Sequence, residues 1–271
     1  MKKLMFAGIA ALCATVVLAD GEISSANVVG YTTKAVEAGK YYLIGTQFDE
    51  AATATAGRID MNKLISLSAS LDAGTFEDDF ATAPQILVLN PSGVGYKSYY
   101  YISDGTDEND DELGYDTWCD DYGYELDDSV KLTLGKGFWF YSPTTSGTIT
   151  TAGQVSDAPT KTIEIPANQY SIICNPYPVA VALQSLTTSA TPGLFEDDFA
   201  TAPQILVQKP STVGYDTYYY ISDGTDENDD EVGKNAWCDD YGYELSGTQI
   251  NAGAAVWIKA PVAGSVTFSL Q

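Results

Sequence analysis

The hydrophobic positions of the chain recur mostly at every second residue, the period of a half-buried strand. Val266, Phe268 and Leu270 alternate with Ser265, Thr267 and Ser269. Phe138 and Phe140 share one face of a run whose other face carries Trp139 and Tyr141. Val256 and Ile258, against Trp257 and Lys259, repeat that arrangement further along. Pro84-Gln85-Ile86-Leu87-Val88 is a short continuous apolar run and predicts a strand buried on both faces. The run from Tyr96 to Ile102 is aromatic on both faces, which predicts core on one side and either an interface or an exposed aromatic surface on the other. Pro91, Gly93, Gly95, Pro143 and Gly147 punctuate these runs as turns between short strands.

The pattern occurs twice. Residues 76 to 126 align without gaps to residues 195 to 245, an offset of 119, and 9 of the 51 positions differ. The flanks match more loosely: Gly135 to Pro143 corresponds to Gly253 to Pro261, and Tyr42 to Phe48 to Ser171 to Tyr177. Each unit therefore holds about 120 residues, an ordinary domain size. Helical spacing is confined to Leu64, Leu67 and Leu71, with Asp60 placed as an N-cap, and to a shorter counterpart at Val181 to Leu186. The expected fold is mainly β: two tandem homologous antiparallel β-sandwich-like domains, each with one short helix. The expected boundaries are a first domain over 20–152, a linker over 153–159 and a second domain over 160–271.

Lys2 and Lys3 precede an apolar run from Leu4 to Ala19, which ends on a small residue before polar Asp20-Gly21-Glu22. This is the layout of a secretory signal peptide over 1–19. The run is short for a membrane span, and Leu12 before Cys13 does not suit a lipoprotein signal. The mature protein is thus expected outside the cytoplasm, secreted or at the cell surface, with no membrane insertion after cleavage. Composition narrows the functions further. The 13 Lys+Arg against 37 Asp+Glu, a net charge of −24, argue against nucleic acid as a partner. With no histidine and Arg58 as the only arginine, the usual general base and the bidentate anion clamp are missing. No nucleophile elbow or phosphate loop occurs, so no catalytic residues are assigned and an enzyme is not expected. The carboxylates of Glu77-Asp78-Asp79, flanked by Phe76 and Phe80, read as a turn with two aromatic anchors rather than as acid/base chemistry at a sugar.

The strongest chemical signal is the run DGTDENDDE at 104–112, repeated unchanged at 223–231, with six carboxylates in nine residues. Like charges packed so closely repel unless solvent, extension or a cation relieves them. Ca²⁺ takes six to eight oxygens of this kind. Asp104, Asp107, Asn109, Asp111 and Glu112, and equally Asp223, Asp226, Asn228, Asp230 and Glu231, are the candidate ligands. The spacing is not that of an EF-hand, since Glu112 stands where that loop needs glycine and Trp118 where it needs the bidentate glutamate. The alternative is a solvated charged loop. Tyr99, Tyr101, Trp118, Tyr218, Tyr220 and Trp237 lie among these carboxylates and are candidates for stacking on sugars; core and interface packing is the other reading. Three cysteines follow the signal: Cys119, Cys174 and Cys238. A disulfide between Cys174 and Cys238, with Cys119 left over, competes with three buried thiols. Zinc is not expected without histidine.

Asn27-Val28-Val29-Gly30-Tyr31, Lys40-Tyr41-Tyr42-Leu43-Ile44-Gly45 and Gly135-Lys136-Gly137-Phe138-Trp139 resemble an uncharacterised family of exported bacterial β-rich proteins. In that family an NVVGY motif leads to GxxLIaNP and to a closing GxGfW. The second unit carries the middle motif as Ser171-Ile172-Ile173-Cys174-Asn175-Pro176 and departs at the last, with Ala254 and Ala255. The resemblance implies export and a β-rich fold, and assigns no binding residue. A structural or interaction protein acting on itself, on other surface proteins or on glycans is the expected function, with a Ca²⁺-dependent carbohydrate-binding module as the alternative.

Overall fold

The computed structural model describes residues 29–49, 58–107, 109–126, 130–156, 158–195, 197, 199–209, 214–225, 228, 230–231 and 233–270. The expected export signal, Asn27-Val28 of the first motif and Asp226 lie outside them.

The first unit runs β1 (Val29–Val36), β2 (Lys40–Gly45), β3 (Phe48–Asp49), β4 (Arg58–Asp60), the single-turn helix α1 (Met61–Leu64) and β5 (Ile65–Leu67). It continues with β6 (Gln85–Leu89), β7 (Tyr96–Ile102), β8 (Thr117–Cys119), β9 (Lys131–Thr133), β10 (Gly137–Ser142) and β11 (Gly147–Val155). The second unit repeats this as β12 (Thr160–Ile165), β13 (Tyr170–Cys174), β14 (Val181–Ala182), a 3₁₀ turn (Leu183–Ser185) and β15 (Thr187–Thr188). Then follow β16 (Gln204–Gln208), β17 (Tyr215–Ile221), β18 (Ala236–Cys238), β19 (Gln249–Ile250), β20 (Ala255–Lys259) and β21 (Gly264–Ser269).

The protein is mainly β, built of several small antiparallel sheets. The two five-stranded sheets have the same order, β2-β10-β6-β7-β8 and β13-β20-β16-β17-β18. Beside the first lies β1-β11-β3, with β5 also on β11, and beside the second β12-β21-β15. In each unit one cluster of buried residues draws on both sheets. Phe138 and Phe140 meet Ile149 and Phe48 in the first, and Val256 and Ile258 meet Val266 and Phe268 in the second. The alternation along β10 and β20 thus holds, and Trp139 and Trp257 face away from those cores.

Helical content is lower than expected. The leucines at 64, 67 and 71 do not share a helix: one turn ends at Leu64, Ile65–Leu67 pairs with β11, and Leu71 closes the following turn. A four-residue helix has too few intrahelical hydrogen bonds to persist alone, so the β11 ladder captures the chain. What the turn does position is Asn62, whose Oδ1 accepts the Trp118 N–H at 3.3 Å on the outer side of β8. The 3₁₀ turn places Gln184 equivalently, with its Oε1 accepting the Trp237 N–H at 3.1 Å and its Nε2 donating to Trp237 O. These amides satisfy edge-strand groups that would otherwise stand unpaired. Among the described residues no helix is long and apolar enough to cross a membrane.

Candidate functional site

Three segments converge at the outer edge of each five-stranded sheet: the Phe76–Phe80 turn, the acidic loop after β7, and the hairpin after β8. The turn holds Asp79 and Phe80 at φ 52° and 58°, and Phe199 at 56°, a region side-chain-bearing residues seldom enter. Local contacts hold it there. The Phe80 ring stacks on Tyr100 with centroids 4.0 Å apart, and Phe199 on Tyr219 at 4.1 Å. Asp104 accepts the Phe76 N–H through both carboxylate oxygens, at 2.7 and 2.9 Å, and Asp223 does the same for Phe195 at 2.8 and 3.0 Å. The Phe76–Phe80 segment is therefore an anchored turn, as its flanking phenylalanines suggest.

The remaining predicted ligands also bond within the site. Asp107 Oδ1 accepts the N–H groups of Asn109 at 2.8 Å and Asp111 at 3.0 Å, and Asn109 Nδ2 donates to Asp107 Oδ2. Those two N–H groups hold the Asp107 carboxyl below its usual pKa. Glu112 enters through its backbone, bridging to Thr106, as Glu231 bridges to Thr225. Tyr124 donates to Asp110 Oδ1 at 2.5 Å, and that carboxylate raises the pKa of the phenol. Asp120 Oδ1 accepts the N–H groups of Tyr122 and Tyr124 at 2.9 and 3.1 Å, and Asp239 repeats this for Tyr241 and Tyr243 at 2.9 and 3.0 Å. In the second copy Asn228 and Asp230 also have interaction partners. Among the described residues no three acidic or cysteine side chains gather as around a metal ion. Asp104 turns to the Phe76 turn, Asp107 to its own loop and Asp110 to Tyr124.

The two copies differ beside the loop. Glu125 accepts from the Tyr115 hydroxyl at 3.2 and 3.3 Å, whereas Glu244 pairs with Lys234 at 3.0 Å. Both contacts are largely exposed, so neither contributes much stability.

The sugar-stacking set needs correction. Trp118 and Trp237 are each 1% exposed, and Tyr99 is 6% exposed. Tyr101, Tyr218 and Tyr220 are half-buried and pack against the same cores, with Tyr101–Trp118 and Tyr220–Trp237 centroids at 5.3 and 5.2 Å. Large apolar surface stabilises most where it leaves water, and edge strands capped by Asn62 and Gln184 carry these indoles inward. The rings left in solvent are others. Tyr122 and Tyr241 are 71% and 70% exposed, and Phe76, Phe195, Tyr124 and Tyr243 are also exposed. Phe76 lies over Gly123, where a Cβ would stand 3.0 Å from its ring, so glycine lets that ring settle on the hairpin between Tyr122 and Tyr124. The signal for this face was the alternation of Asp120-Asp121 with Tyr122 and Tyr124, which does not say which rings reach water.

The Cys174–Cys238 disulfide is also corrected. Cys174 is on β13 and Cys238 on β18, opposite edges of one five-stranded sheet. Four interstrand steps of about 4.8 Å separate them, against the ~6 Å a disulfide spans. Cys119, Cys174 and Cys238 are free and buried. Burial pushes all three thiols up to about 12, reinforced at Cys119 and Cys238 by neighbouring carboxylates. Gly105 and Gly224 back directly onto the sulfurs of Cys119 and Cys238, where a Cβ would stand 2.6 Å away.

In comparisons with known proteins, no family profile, curated protein or solved structure matches the chain. The strands define a mainly β protein, and its edge faces are the place to look for function.

Proposed function

We propose that the protein is an exported structural and interaction protein of two duplicated β-sandwich-like domains, each presenting one acidic, tyrosine-bearing face, with Ca²⁺ as a ligand of the acidic loops. It belongs, on this reading, with the exported β-rich proteins whose motifs it resembles, and works at the cell surface or beyond. The observation that carries the proposal is the near-identity of the two faces, residues 76–126 and 195–245, on strands β7–β8 and β17–β18 at the far sides of the two sheets. Two copies of one surface within one chain favour bivalent engagement, which strengthens attachment without any new contact. A Ca²⁺-dependent carbohydrate-binding module is the second reading, favoured by exposed Phe76, Tyr122 and Tyr124 beside Asp110 and Asp120.

A calcium titration of residues 20–271, by calorimetry and by melting with and without chelator, tests the metal. Native-state binding at 100 Kd stabilises by about 2.7 kcal/mol per site. Saturable binding near two equivalents supports it, and no heat or shift at millimolar calcium sinks it. Sedimentation and a glycan screen in calcium then separate the readings. Concentration-dependent self-association lost in Tyr122→Ala/Tyr241→Ala supports the structural role, while a monomer retained on glycans supports the module.

A further inference from the structure

The outward faces of the two five-stranded sheets meet around Leu43, Ile172, Cys174 and Ala255, with Leu89, Trp139 and Trp257 packed against them. The bonds across this seam come in reciprocal pairs. Gly45 donates its N–H to Gly253 O at 3.0 Å, and Cys174, its equivalent in the second unit, donates to Gly135 O, the equivalent of Gly253, at 2.8 Å. Ile44 bridges to Ala254, and Ile173 to Lys136. Other residues meet their own equivalents. Trp139 lies 6.5 Å from Trp257, each met edge-on by a tyrosine, Tyr41 at 6.3 Å and Tyr170 at 6.0 Å. A Cβ added at Gly45 would fall 2.4 Å from Cys174 Cβ, and one at Gly137 would fall 2.6 Å from Ala255 Cβ.

Contact of residue i with j′ and of j with i′, plus self-contact along a line, is the signature of a two-fold axis. We infer that this seam is an isologous dimer interface carried inside one chain: the surface around Gly45, Gly137 and Trp139 recognises a second unit of the same kind, and the duplication joined two units that paired with each other. The axis pairs also set which unit fits which. At 45/174 and 137/255 one partner is glycine and the other bears a Cβ. Two second units in the same geometry would bring paired Cβ atoms to about 2.4 Å, where carbon contacts need ~3.5–4.0 Å. Two first units would leave the space unfilled. Clash on one side and void on the other select the mixed pair. The surface is thus matched to its own chain's second unit, which leaves the outer faces as the ones open to other partners.

The test uses the full chain. A protease recognition sequence is inserted after Ser156, because Ala158 and Pro159 are already bonded to Tyr177 and Leu270 of the second unit. The folded protein is cut and its halves are followed by size exclusion and native mass spectrometry at micromolar and nanomolar concentration. The expected result is one species containing both halves, with an unchanged far-UV CD spectrum. Halves that separate at micromolar concentration overturn the inference. The same cut in Gly45→Leu, first confirmed folded while intact, is expected to weaken pairing at least 100-fold. A Gly45→Leu protein as tightly paired as the parent refutes the placement of the axis.

Discussion

Exchanging the two side chains at the axis gives a demanding check on the internal symmetry. In Gly45→Cys the new Cβ would sit 2.4 Å from Cys174 Cβ and 2.9 Å from Gly253 O. Relief requires β2 and β13 to part by about 1 Å, since apolar carbons settle at ~3.5–4.0 Å. That movement stretches the Gly45–Gly253 and Cys174–Gly135 bonds, now 3.0 and 2.8 Å, beyond useful length. Overpacking costs about 1–3 kcal/mol and each of the two lost buried hydrogen bonds about 1 kcal/mol, so the single variant should lose about 3–5 kcal/mol. Cys174→Gly removes a buried side chain and adds backbone freedom, for roughly 2 kcal/mol. Under a two-fold relation the double variant Gly45→Cys/Cys174→Gly moves the same side chain across the axis into an equivalent space. It should therefore lie within about 1 kcal/mol of the parent, a coupling well outside the usual additivity error. Urea unfolding followed by tryptophan fluorescence is a suitable assay, because Trp139 and Trp257 flank the axis. Additive losses, about 5–7 kcal/mol on the same figures, would refute the reasoning.

Other outcomes follow from the same contacts. Trp118→Ala and Trp237→Ala should each destabilise by about 3–5 kcal/mol in denaturant melts, as core deletions do, whereas Tyr122→Ala and Tyr241→Ala should stay within about 0.5 kcal/mol of the parent. Asp104→Ala removes the acceptor for the Phe76 N–H and should cost about 1 kcal/mol, with faster amide exchange confined to the Phe76–Phe80 turn. Asp107 has a folded pKa below the ordinary 3.8. Its contribution is therefore present above that value and lost as pH falls through the folded one, so the protection of the Asn109 and Asp111 amides, relative to intrinsic exchange at the same pH, should fall only below about pH 4. Cys119, Cys174 and Cys238, with thiols near 12, should resist a disulfide reagent at pH 8 in the native protein and react fully in denaturant.

Residue pattern and tertiary structure contributed different things. Alternation along 138–141 and 256–259 assigned Phe138, Phe140, Val256 and Ile258 to one face and the two tryptophans to the other, because side-chain direction in a strand is set by covalent geometry. The duplication and the aromatic anchoring of the Phe76–Phe80 turn were legible for equally local reasons. The pattern does not report what covers each face. Trp118 and Trp237 sit among carboxylates in the chain yet are buried, because Asn62 and Gln184 cap their edge strands from far away in sequence. Cys174 and Cys238 share a sheet but stand at its opposite edges, a separation created by strand order. The helical spacing at 64, 67 and 71 gave way to pairing with β11, since a ladder of long-range hydrogen bonds outweighs a weak local propensity. The seam at Gly45, Cys174 and the two tryptophans was present in the residues as two loosely matching flanks. Only the packing of one sheet on the other turned those flanks into a two-fold axis, because which surfaces meet is decided by the whole chain and by no local segment of it.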